Sequence, residues 1–242
     1  MPPLLTLEDI ITATRGILVR ESSKEFTGVS IDSRTINEGE LFIALKGDNF
    51  DGHDFIDDAL KKGDGVVVSE NRLNFNLSKE LNKTWIAVKD TQRALQDIAL
   101  FLRKRFSGQV IAVVGSNGKT TTKEILANIL ERSKRVLKTK GNLNNHIGMP
   151  LCMCQLDKNK EILLVEMGTN RPGDIDNLCR IAMPHLAVIT NIGYEHIEGF
   201  GSLEGVRESE FEILPYVNTV VVNRDDKFLM DGLIEKFKGK II

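Results

Sequence analysis

The sequence contains few cysteines, no long hydrophobic segment and no excess of either charge. Of 242 residues only three are cysteine, at positions 152, 154 and 179, and their spacing matches no metal-binding motif. So few thiols, and an odd number of them, are typical of a protein from a reducing compartment. No uninterrupted apolar run approaches the roughly 18 residues that span a bilayer. Because the N-terminus also lacks the basic start and apolar stretch of a signal peptide, we expect a cytoplasmic protein without membrane insertion.

The charge balance argues against a second class of function. Lys and Arg total 32 and Asp and Glu total 34, which gives a formal net charge of −2. Proteins that coat nucleic acid or bind acidic membranes through polybasic segments carry a clear positive excess. We therefore expect no nucleic-acid partner. We also expect small-molecule substrates and a monomeric state, neither of which follows from the charge balance. A local basic pocket for phosphate groups is compatible with this composition.

Strand-like and helix-like segments alternate along the chain, which predicts an α/β protein. Short β-rich runs and helical patterns fill the first hundred residues, and the dipeptide at 107–108, Ser-Gly, is suited to a hinge. Beyond it, residues 110–114 form a β-branched run typical of a strand buried on both faces of a parallel sheet. Later patterns predict strands at 162–166, 186–190 and 219–222 and helices at 119–131, 174–182 and 203–214. The sequence thus predicts a small α/β domain over residues 1–108 and a doubly wound, mostly parallel sheet domain over residues 109–242.

The strongest local motif lies between the run at 110–114 and the following predicted helix. It consists of Gly115, Ser116, Asn117, Gly118, Lys119, Thr120 and Thr121. Glycines let consecutive N–H groups turn toward phosphate oxygens, and the helix N-terminus adds partial positive charge. In this pattern the lysine neutralises phosphate charge and the first threonine hydroxyl ligates Mg²⁺. The longer form of the motif requires glycine at position 113, where the chain has Val113, and the alternative is an ordinary glycine-containing turn with an exposed lysine.

Two more polar groups follow the ends of predicted strands. Glu166 ends the strand at 162–166, and His196 lies shortly after the strand at 186–190. Ends of neighbouring parallel strands meet at one edge of the sheet, so we expect both side chains near Lys119. A carboxylate beside a phosphate loop is suited to hold Mg²⁺, which bridges protein oxygens and phosphates. The alternatives are a solvated glutamate and a histidine that serves only as a polar partner.

Five segments together resemble the Mur ligases, ATP-dependent enzymes that form amide bonds in peptidoglycan precursor synthesis. The phosphate loop GSNGKTTTKE has the family's short spacing. The other segments are DSRTINEGELFIALKGDNFDGHDFI at 32–56, GNLNNHIGMPL at 141–151, EMGTNRPGDI at 166–175 and TNIGYEHIEGFGS at 190–202. These segments extend over nearly the whole chain, and their motifs are specific.

The resemblance implies a reaction and a set of ligands. ATP and Mg²⁺ would be the cofactors, and the substrates would be UDP-N-acetylmuramoyl-tripeptide and D-alanyl-D-alanine, joined through an acyl phosphate. By motif position, Lys119 holds phosphate, Thr120 and Glu166 hold one Mg²⁺, and His196 helps to hold a second metal. Candidate substrate contacts are Asp32, Ser33, Arg34, Asp51, Gly52, His53, Asn142, Asn144 and Asn145. The alternative for these residues is turn formation, which the same residue types favour.

The sequence departs from the family pattern at one functional position and in length. The family has a carbamylated, metal-ligating lysine fourteen residues after the histidine, and here that position is Glu210. No lysine occurs between Lys160 and Lys227, so we expect the Glu210 carboxylate to replace the carbamate, with an exposed helix glutamate as the alternative. The family's second domain also continues beyond the equivalent of Ile242, and a C-terminal domain follows it. We therefore expect an incomplete ATP-binding domain without that C-terminal domain.

Three functions are compatible with these observations. The first is the ligase just described, or the part of it that binds the UDP-substrate and Mg-ATP. The second is a Mur-type ligase that adds a different amino acid. The third is a module that binds nucleotides or UDP-sugars without catalysis. The segments at 141–151 and 190–202 favour the first.

Overall fold

The chain forms two compact units, residues 1–102 and residues 103–242. The structure is a computed structural model and describes residues 4–72, 82–194 and 197–242. Both units contain a mainly parallel sheet flanked by helices, as the alternation of patterns predicts. In the described part of the chain, no helix is long and apolar enough to cross a membrane.

The first unit is built on a five-stranded sheet with the order β2-β7-β6-β5-β4, in which only β2 runs antiparallel to its neighbour. Strands β1 and β3 form a separate antiparallel pair. The elements are β1 (Leu5–Thr6), α1 (Leu7–Thr14), β2 (Ile17–Arg20), β3 (Glu25–Phe26), β4 (Gly28–Ser30), β5 (Glu40–Ile43), α2 (Ile56–Leu60), β6 (Gly65–Ser69), β7 (Thr84–Val88) and α3 (Thr91–Arg105), whose last turn belongs to the second unit. Short 3-10 helices cover Gly52–Phe55 and Glu70–Arg72.

Local sequence chemistry explains how the first unit starts. Thr6 caps α1: its hydroxyl accepts a hydrogen bond from the Asp9 N–H, and the Asp9 carboxylate accepts one from the Thr6 N–H. This reciprocal capping box satisfies two backbone donors at the helix start. Buried apolar side chains of β5, β6, β7 and α2 pack in one cluster that includes Phe42, Leu60 and Trp85.

The second unit contains a six-stranded sheet with the order β13-β12-β11-β8-β10-β9, and every pair in it is parallel. Its elements are β8 (Gln109–Val114), α4 (Lys119–Leu130), β9 (Val136–Lys138), α5 (Gly148–Met153), β10 (Ile162–Glu166), α6 (Asp174–Ala182), β11 (Leu186–Ile189), α7 (Ile197–Phe200), α8 (Leu203–Glu210), β12 (Thr219–Val222), α9 (Lys227–Lys236) and β13 (Lys240–Ile241). The predicted doubly wound parallel sheet is confirmed.

Strand register brings three loops together at the carboxyl edge of this sheet. Strand β8 lies between β10 and β11, with Glu166 opposite Val113 and Ile189 opposite Val114. The chain therefore leaves β8, β10 and β11 at nearly the same level. In open α/β sheets such a position, where the strand order reverses, is the usual ligand-binding crevice.

The predicted helix at 203–214 is shorter in the structure. Helix α8 ends at Glu210, and residues Phe211–Tyr216 form a 3-10 helix that contains Pro215. Proline cannot donate the backbone hydrogen bond that an α-helix requires, and its ring clashes with the preceding turn. The chain therefore changes helix type before Pro215, and Glu210 lies at the end of α8.

The three cysteines are buried and form no disulfide. Burial raises the pKa of the Cys152 thiol to about 11, and burial also raises the pKa values of Cys154 and Cys179. Buried thiols of this kind are poor nucleophiles, because the thiolate is the reactive form. The three side chains therefore serve as apolar packing groups.

Candidate functional site

The phosphate loop connects β8 to α4 and requires glycine at two positions. Gly115 has φ 114° and Gly118 has φ 79°, a left-handed region that residues with a Cβ rarely adopt. A Cβ on Gly115 would lie 2.4 Å from the Thr190 hydroxyl, whereas one on Gly118 would meet no atom within 4 Å. Gly118 is followed directly by the first turn of α4. The space at Gly118 and the first turn of α4 is therefore open at a helix N-terminus, where phosphate groups bind, and we call this position the cradle.

Lys119 holds its ammonium group over this loop. Its Nζ donates to the carbonyl oxygens of Gly115 at 2.6 Å and Ser116 at 2.9 Å. The side chain thus turns back from the helix toward the cradle. A cation in this position lies within reach of a phosphate group on the loop.

Residues after β11 hold the loop from the other side. The Asn191 side chain accepts a hydrogen bond from the Asn117 N–H at 3.1 Å and donates to the Asn117 carbonyl at 2.8 Å. The Ser116 N–H donates to the Asn191 carbonyl, and the Gly193 N–H donates to the Ser116 hydroxyl. Asn191 is a functional-site residue that the sequence reasoning did not single out. Its place directly after a strand of the same sheet edge was the available signal.

Glu166 lies beside Thr120 at the carboxyl end of β10. The Thr120 hydroxyl donates to Glu166 Oε1 at 3.0 Å, and the Asn144 side-chain amide donates to the same oxygen at 2.9 Å. The backbone of Glu166 is fixed by the buried hydroxyl of Thr139, which accepts its N–H at 2.9 Å. The structure thus brings together the predicted residues Thr120, Asn144 and Glu166.

A divalent cation fits this arrangement. The Glu166 side chain is buried, and no donor among the residues that the structure describes hydrogen-bonds to its Oε2. Mg²⁺ is commonly held by one or two protein oxygens together with substrate phosphates and waters. Glu166 and Thr120 would supply such oxygens next to the cradle. The described residues contain no group of three or more His, Cys, Asp and Glu side chains that could hold a metal ion. Binding through one or two protein oxygens and substrate phosphates does not need such a group.

Lys123, one helical turn after Lys119, is fully buried below Glu166. Its Nζ donates to the Gly141 carbonyl at 2.9 Å and lies 3.3 Å from Glu166 Oε2. The same nitrogen lies 3.3 Å from Glu124 Oε1. The sequence reasoning missed this residue, because a lysine inside a helix is ordinarily solvated.

Glu210 contacts the beginning of the phosphate loop. Its Oε2 accepts a hydrogen bond from the Gly115 N–H at 2.7 Å, and its side chain is buried. The alternative of an exposed helix glutamate is therefore wrong. The role of Glu210 as a metal ligand stays a prediction, and His196 lies outside the described residues.

The three predicted asparagines after β9 occupy different environments. Asn144 contacts Glu166, while Asn145 accepts hydrogen bonds from the N–H groups of Ile147 and Gly148 and thereby shapes the start of α5. Asn142 is exposed, and its carbonyl accepts the Asn144 N–H. For Asn145 the turn-forming alternative thus describes the observed contacts.

In the first unit, Asp32 and Arg34 form a tight turn. The Arg34 guanidinium donates to both oxygens of the Asp32 carboxylate, at 2.9 and 2.6 Å, and the Arg34 N–H donates to the same carboxylate. The Arg34 side-chain hydrogen bond lowers the pKa of Asp32 to about 2. Ser33 lies in this turn, and the Arg34 side chain is 85% exposed, so its outer face is open to a ligand.

The second predicted substrate segment is held by internal hydrogen bonds. His53 Nδ1 lies 2.6 Å from Asp51 Oδ1, and His53 Nε2 accepts the Ser69 N–H at 3.0 Å. Arg72 pairs with the other Asp51 oxygen, and Gly52 packs so closely that a Cβ would lie 2.7 Å from the Leu45 carbonyl. Both ring nitrogens of His53 are used within the unit, so this geometry does not support a ligand contact by its side chain.

We expect Asp51→Asn to lower the free energy of unfolding of the first unit by about 1–3 kcal/mol, because the amide keeps one acceptor oxygen but turns an NH2 donor toward either Arg72 or the His53 donors and removes the charge that both hydrogen-bond to. Burial favours the neutral Asp51 carboxyl, but hydrogen bonds from the His53 N–H and ring and from Arg72 outweigh it and lower its pKa. A lowered pKa stabilises the fold above the unfolded value of about 4, and this contribution disappears as pH falls through the folded value. The difference between wild type and variant should therefore shrink in acid.

Urea unfolding of the wild type and Asp51→Asn at pH 7 and at acidic pH measures this difference. Asp58→Asn is the matched control, because its ion pair with Lys61 is exposed on both sides. Such pairs contribute at most about 1 kcal/mol. Equal effects of the two substitutions, or an Asp51 effect independent of pH, would contradict the prediction.

Models of protein families and curated relatives show the family of the chain. Residues 113–241 match the Mur ligase middle domain, and residues 25–103 match the catalytic domain of the Mur ligase family. The chain belongs to the Mur ligase family. Among its relatives, the UDP-N-acetylmuramoyl-tripeptide--D-alanyl-D-alanine ligase of Bacillus subtilis is 40% identical over 211 residues, which cover 86% of this chain and 46% of that protein.

The solved structures that are similar to the chain include MurF ligases from two organisms. MurF from Acinetobacter baumannii superposes with a TM-score of 0.86 at 32% identity and covers 98% of this chain and 52% of its own. The MurF ligase of Thermotoga maritima in complex with ADP has a TM-score of 0.76 at 37% identity, over 88% of this chain and 49% of its own. The chain spans about half the length of the relatives that it matches.

Proposed function

We propose that this chain provides the UDP-substrate-binding and ATP-binding parts of a ligase that joins D-alanyl-D-alanine to UDP-N-acetylmuramoyl-tripeptide. The observation that carries the proposal is the open phosphate loop with Lys119 folded over it and Glu166 beside Thr120. Relatives whose names state this activity are between 32% and 40% identical to the chain. Their names also support a role in peptidoglycan precursor synthesis.

The two parts of the chain divide the ligands between them. We assign the uridine nucleotide of the UDP-linked substrate to residues 1–108 and Mg-ATP to residues 109–242. In the first part, the turns at 32–34 and 51–53 are the proposed uridine-nucleotide contacts. In the second, the phosphate loop takes the nucleotide and the asparagines at 142, 144 and 145 lie in the segment proposed for the pyrophosphate or sugar of the UDP-substrate. Glu166 and Thr120 form the first Mg²⁺ site, and His196 and Glu210 are proposed for a second.

The proposed reaction has two steps. The terminal carboxylate of the UDP-linked peptide attacks the γ-phosphorus of ATP, whose bond to the bridging oxygen breaks, so that an acyl phosphate and ADP form. The amine of D-alanyl-D-alanine then attacks the acyl carbon, the amide forms and inorganic phosphate leaves. Bound Mg²⁺ supplies charge neutralisation at the phosphate oxygens.

The residues of the chain act by position and charge. Lys119 and the backbone N–H groups at the start of α4 hold the phosphate oxygens, where negative charge accumulates during transfer. Thr120 and Glu166 hold the cation next to them, and Asn191 keeps the loop in the shape that directs its backbone to the phosphate. Catalysis of this kind rests on orientation, which the hydrogen-bonded loop provides in advance.

Calorimetric titrations test the binding parts of the proposal. We expect ADP with Mg²⁺ and UDP-N-acetylmuramoyl-tripeptide to bind at independent sites, and uridine diphosphate to compete only with the second ligand. Failure of either ligand to bind would contradict the corresponding assignment.

Phosphate release from Mg-ATP tests the reaction itself. Release that requires both UDP-N-acetylmuramoyl-tripeptide and D-alanyl-D-alanine is the result expected for the ligase. Binding without release would favour a binding module, and release with another amino acid would favour a Mur-type ligase of different specificity. The proposal also includes a cytoplasmic location and a monomeric state. Light scattering of the purified protein checks the monomeric state.

A further inference from the structure

Lys123 is a buried cation that the proposed reaction does not use directly. Its side chain is 0% exposed, and its Nζ contacts an oxygen of each of three groups: Gly141, Glu124 and Glu166. Removing an ammonium group from water costs several kcal/mol, so a lysine is kept in such a place only with close partners. Two of these contacts, the Gly141 carbonyl and the Glu166 carboxylate, lie at the proposed Mg²⁺ site, which suggests that the function of Lys123 lies there as well.

The contacts of Lys123 connect two elements on either side of the proposed Mg²⁺ site. Through Glu166 Oε2 it reaches the end of β10, and through the Gly141 carbonyl it holds the loop that carries Asn144. That loop returns to the same carboxylate, because Asn144 donates to Glu166 Oε1. The carboxylate is therefore held on Oε1 by Thr120 and Asn144 and faces Lys123 on Oε2.

We propose that Lys123 is a positioning residue that sets the orientation of the Glu166 carboxylate and of the loop at 141–144 for a magnesium-bound nucleotide. The inference rests on the proposed nucleotide site and goes beyond it by assigning a role to Lys123, which follows the phosphate-binding residues 115–121. Lys123 acts through Glu166 and not through contact with phosphate. Without Lys123, the Gly141 carbonyl loses its hydrogen-bond donor, and Glu166 Oε2 loses the ammonium group that lies 3.3 Å from it.

Charge repulsion and positioning predict opposite results for removal of Lys123. Coulomb's law alone predicts tighter Mg²⁺ binding, because a positive charge next to the cation is removed. A positioning role predicts weaker Mg²⁺ binding, because a misoriented carboxylate no longer faces the cation that Thr120 contacts. The sign of the change therefore separates the two effects.

The experiment measures ADP affinity by calorimetry, in excess Mg²⁺ and in EDTA, for the wild type and Lys123→Met. We expect the affinity in EDTA to stay near that of the wild type, because Lys119 and the loop backbone are unchanged. The gain in affinity caused by Mg²⁺ should fall about tenfold, the size of one hydrogen bond to a charged group. Lys123→Arg should recover part of this gain, because it keeps the charge and the donors.

Lys138→Met is the matched control, because Lys138 belongs to the same chain of ion pairs. Its Nζ lies 2.6 Å from Glu124 Oε2, whereas Lys123 Nζ lies 3.3 Å from the other oxygen, Oε1. We expect the gain in ADP affinity caused by Mg²⁺ to be the same in Lys138→Met as in the wild type. If Lys123→Met does not fold, Lys123→Gln takes its place, and because its amide can still donate to the Gly141 carbonyl we expect a loss of the same sign but smaller.

Three outcomes would overturn the inference. If the gain in ADP affinity caused by Mg²⁺ is larger in the Lys123 variant, charge repulsion outweighs positioning. If the gain is unchanged, Lys123 does not position the Mg²⁺ site. Equal losses in Mg²⁺ and in EDTA, or an equal loss in Lys138→Met, would show a general structural effect. Absence of ADP binding to the wild type would overturn the proposed function together with this inference, and only this outcome affects both.

Discussion

Lys119→Met is expected to weaken ADP binding by about 10- to 100-fold, both in Mg²⁺ and in EDTA. The Lys119 ammonium already lies over the phosphate loop, 2.6 Å from the Gly115 carbonyl and 2.9 Å from the Ser116 carbonyl. A phosphate in the cradle would exchange these neutral acceptors for charged ones. A hydrogen bond to a charged group contributes about 1.5–3 kcal/mol, which corresponds to this range of affinity.

Calorimetric titration with ADP measures the effect, and Lys134→Met is the control. Lys134 lies beyond the other end of α4, where it is half exposed and pairs with Glu161 at 3.1 Å. Both substitutions remove one positive charge, so they change the long-range field of the protein similarly. A loss shared by the two variants would assign the effect to net charge and contradict a specific phosphate contact by Lys119.

The parts of the site that could be predicted from the sequence are the local ones. The spacing of glycine, lysine and threonine between a buried strand and a helix determines where the backbone turns, so Lys119 and Thr120 lie at the cradle as expected. Glu166 could be placed because it ends a strand and the carboxyl ends of parallel strands meet at one edge. Both inferences need only the type of each element and its order.

The contacts between distant segments could not be predicted in this way. Asn191 bonds to Asn117 from 74 positions further along the chain, and Lys123 bonds to Gly141 from another element. Such pairs depend on register and helix rotation, which sequence patterns do not fix to within one residue. The ring contacts of His53 could not be predicted either: the residue was expected at the substrate, and the structure adds that its ring connects Asp51 to the Ser69 N–H.

The resemblance to the family placed a metal-ligating carboxylate at Glu210, and the structure adds a second possible role. Glu210 Oε2 accepts the Gly115 N–H at 2.7 Å, so the carboxylate anchors the first residue of the phosphate loop. Gly115 has a positive φ and packs against Thr190, which leaves its N–H little freedom to find another acceptor. A role as loop anchor depends on an acceptor oxygen, whereas a role as metal ligand depends on negative charge. The two roles can therefore be separated by substitution.

Glu210→Ala is expected to lower the free energy of unfolding of the second unit by about 1–3 kcal/mol and to weaken ADP binding even in EDTA. The buried Gly115 N–H loses its acceptor, and the loop loses its fixed start. Glu210→Gln keeps an acceptor oxygen at the same distance from the backbone, so its stability and its ADP affinity in EDTA should stay close to those of the wild type. Urea unfolding and calorimetry with ADP measure both quantities.

The glutamine variant then tests the metal role by itself. A loss of ADP affinity in Mg²⁺ that is absent in EDTA would mean that the charge of Glu210 contributes to the cation site, since the loop anchor is retained. Equal ADP affinities of Glu210→Gln and the wild type under both conditions would mean that Glu210 serves the loop and not the metal. Glu210→Ala with unchanged stability and binding would contradict both roles, because the buried hydrogen bond to Gly115 would then contribute nothing to the loop on which nucleotide binding depends.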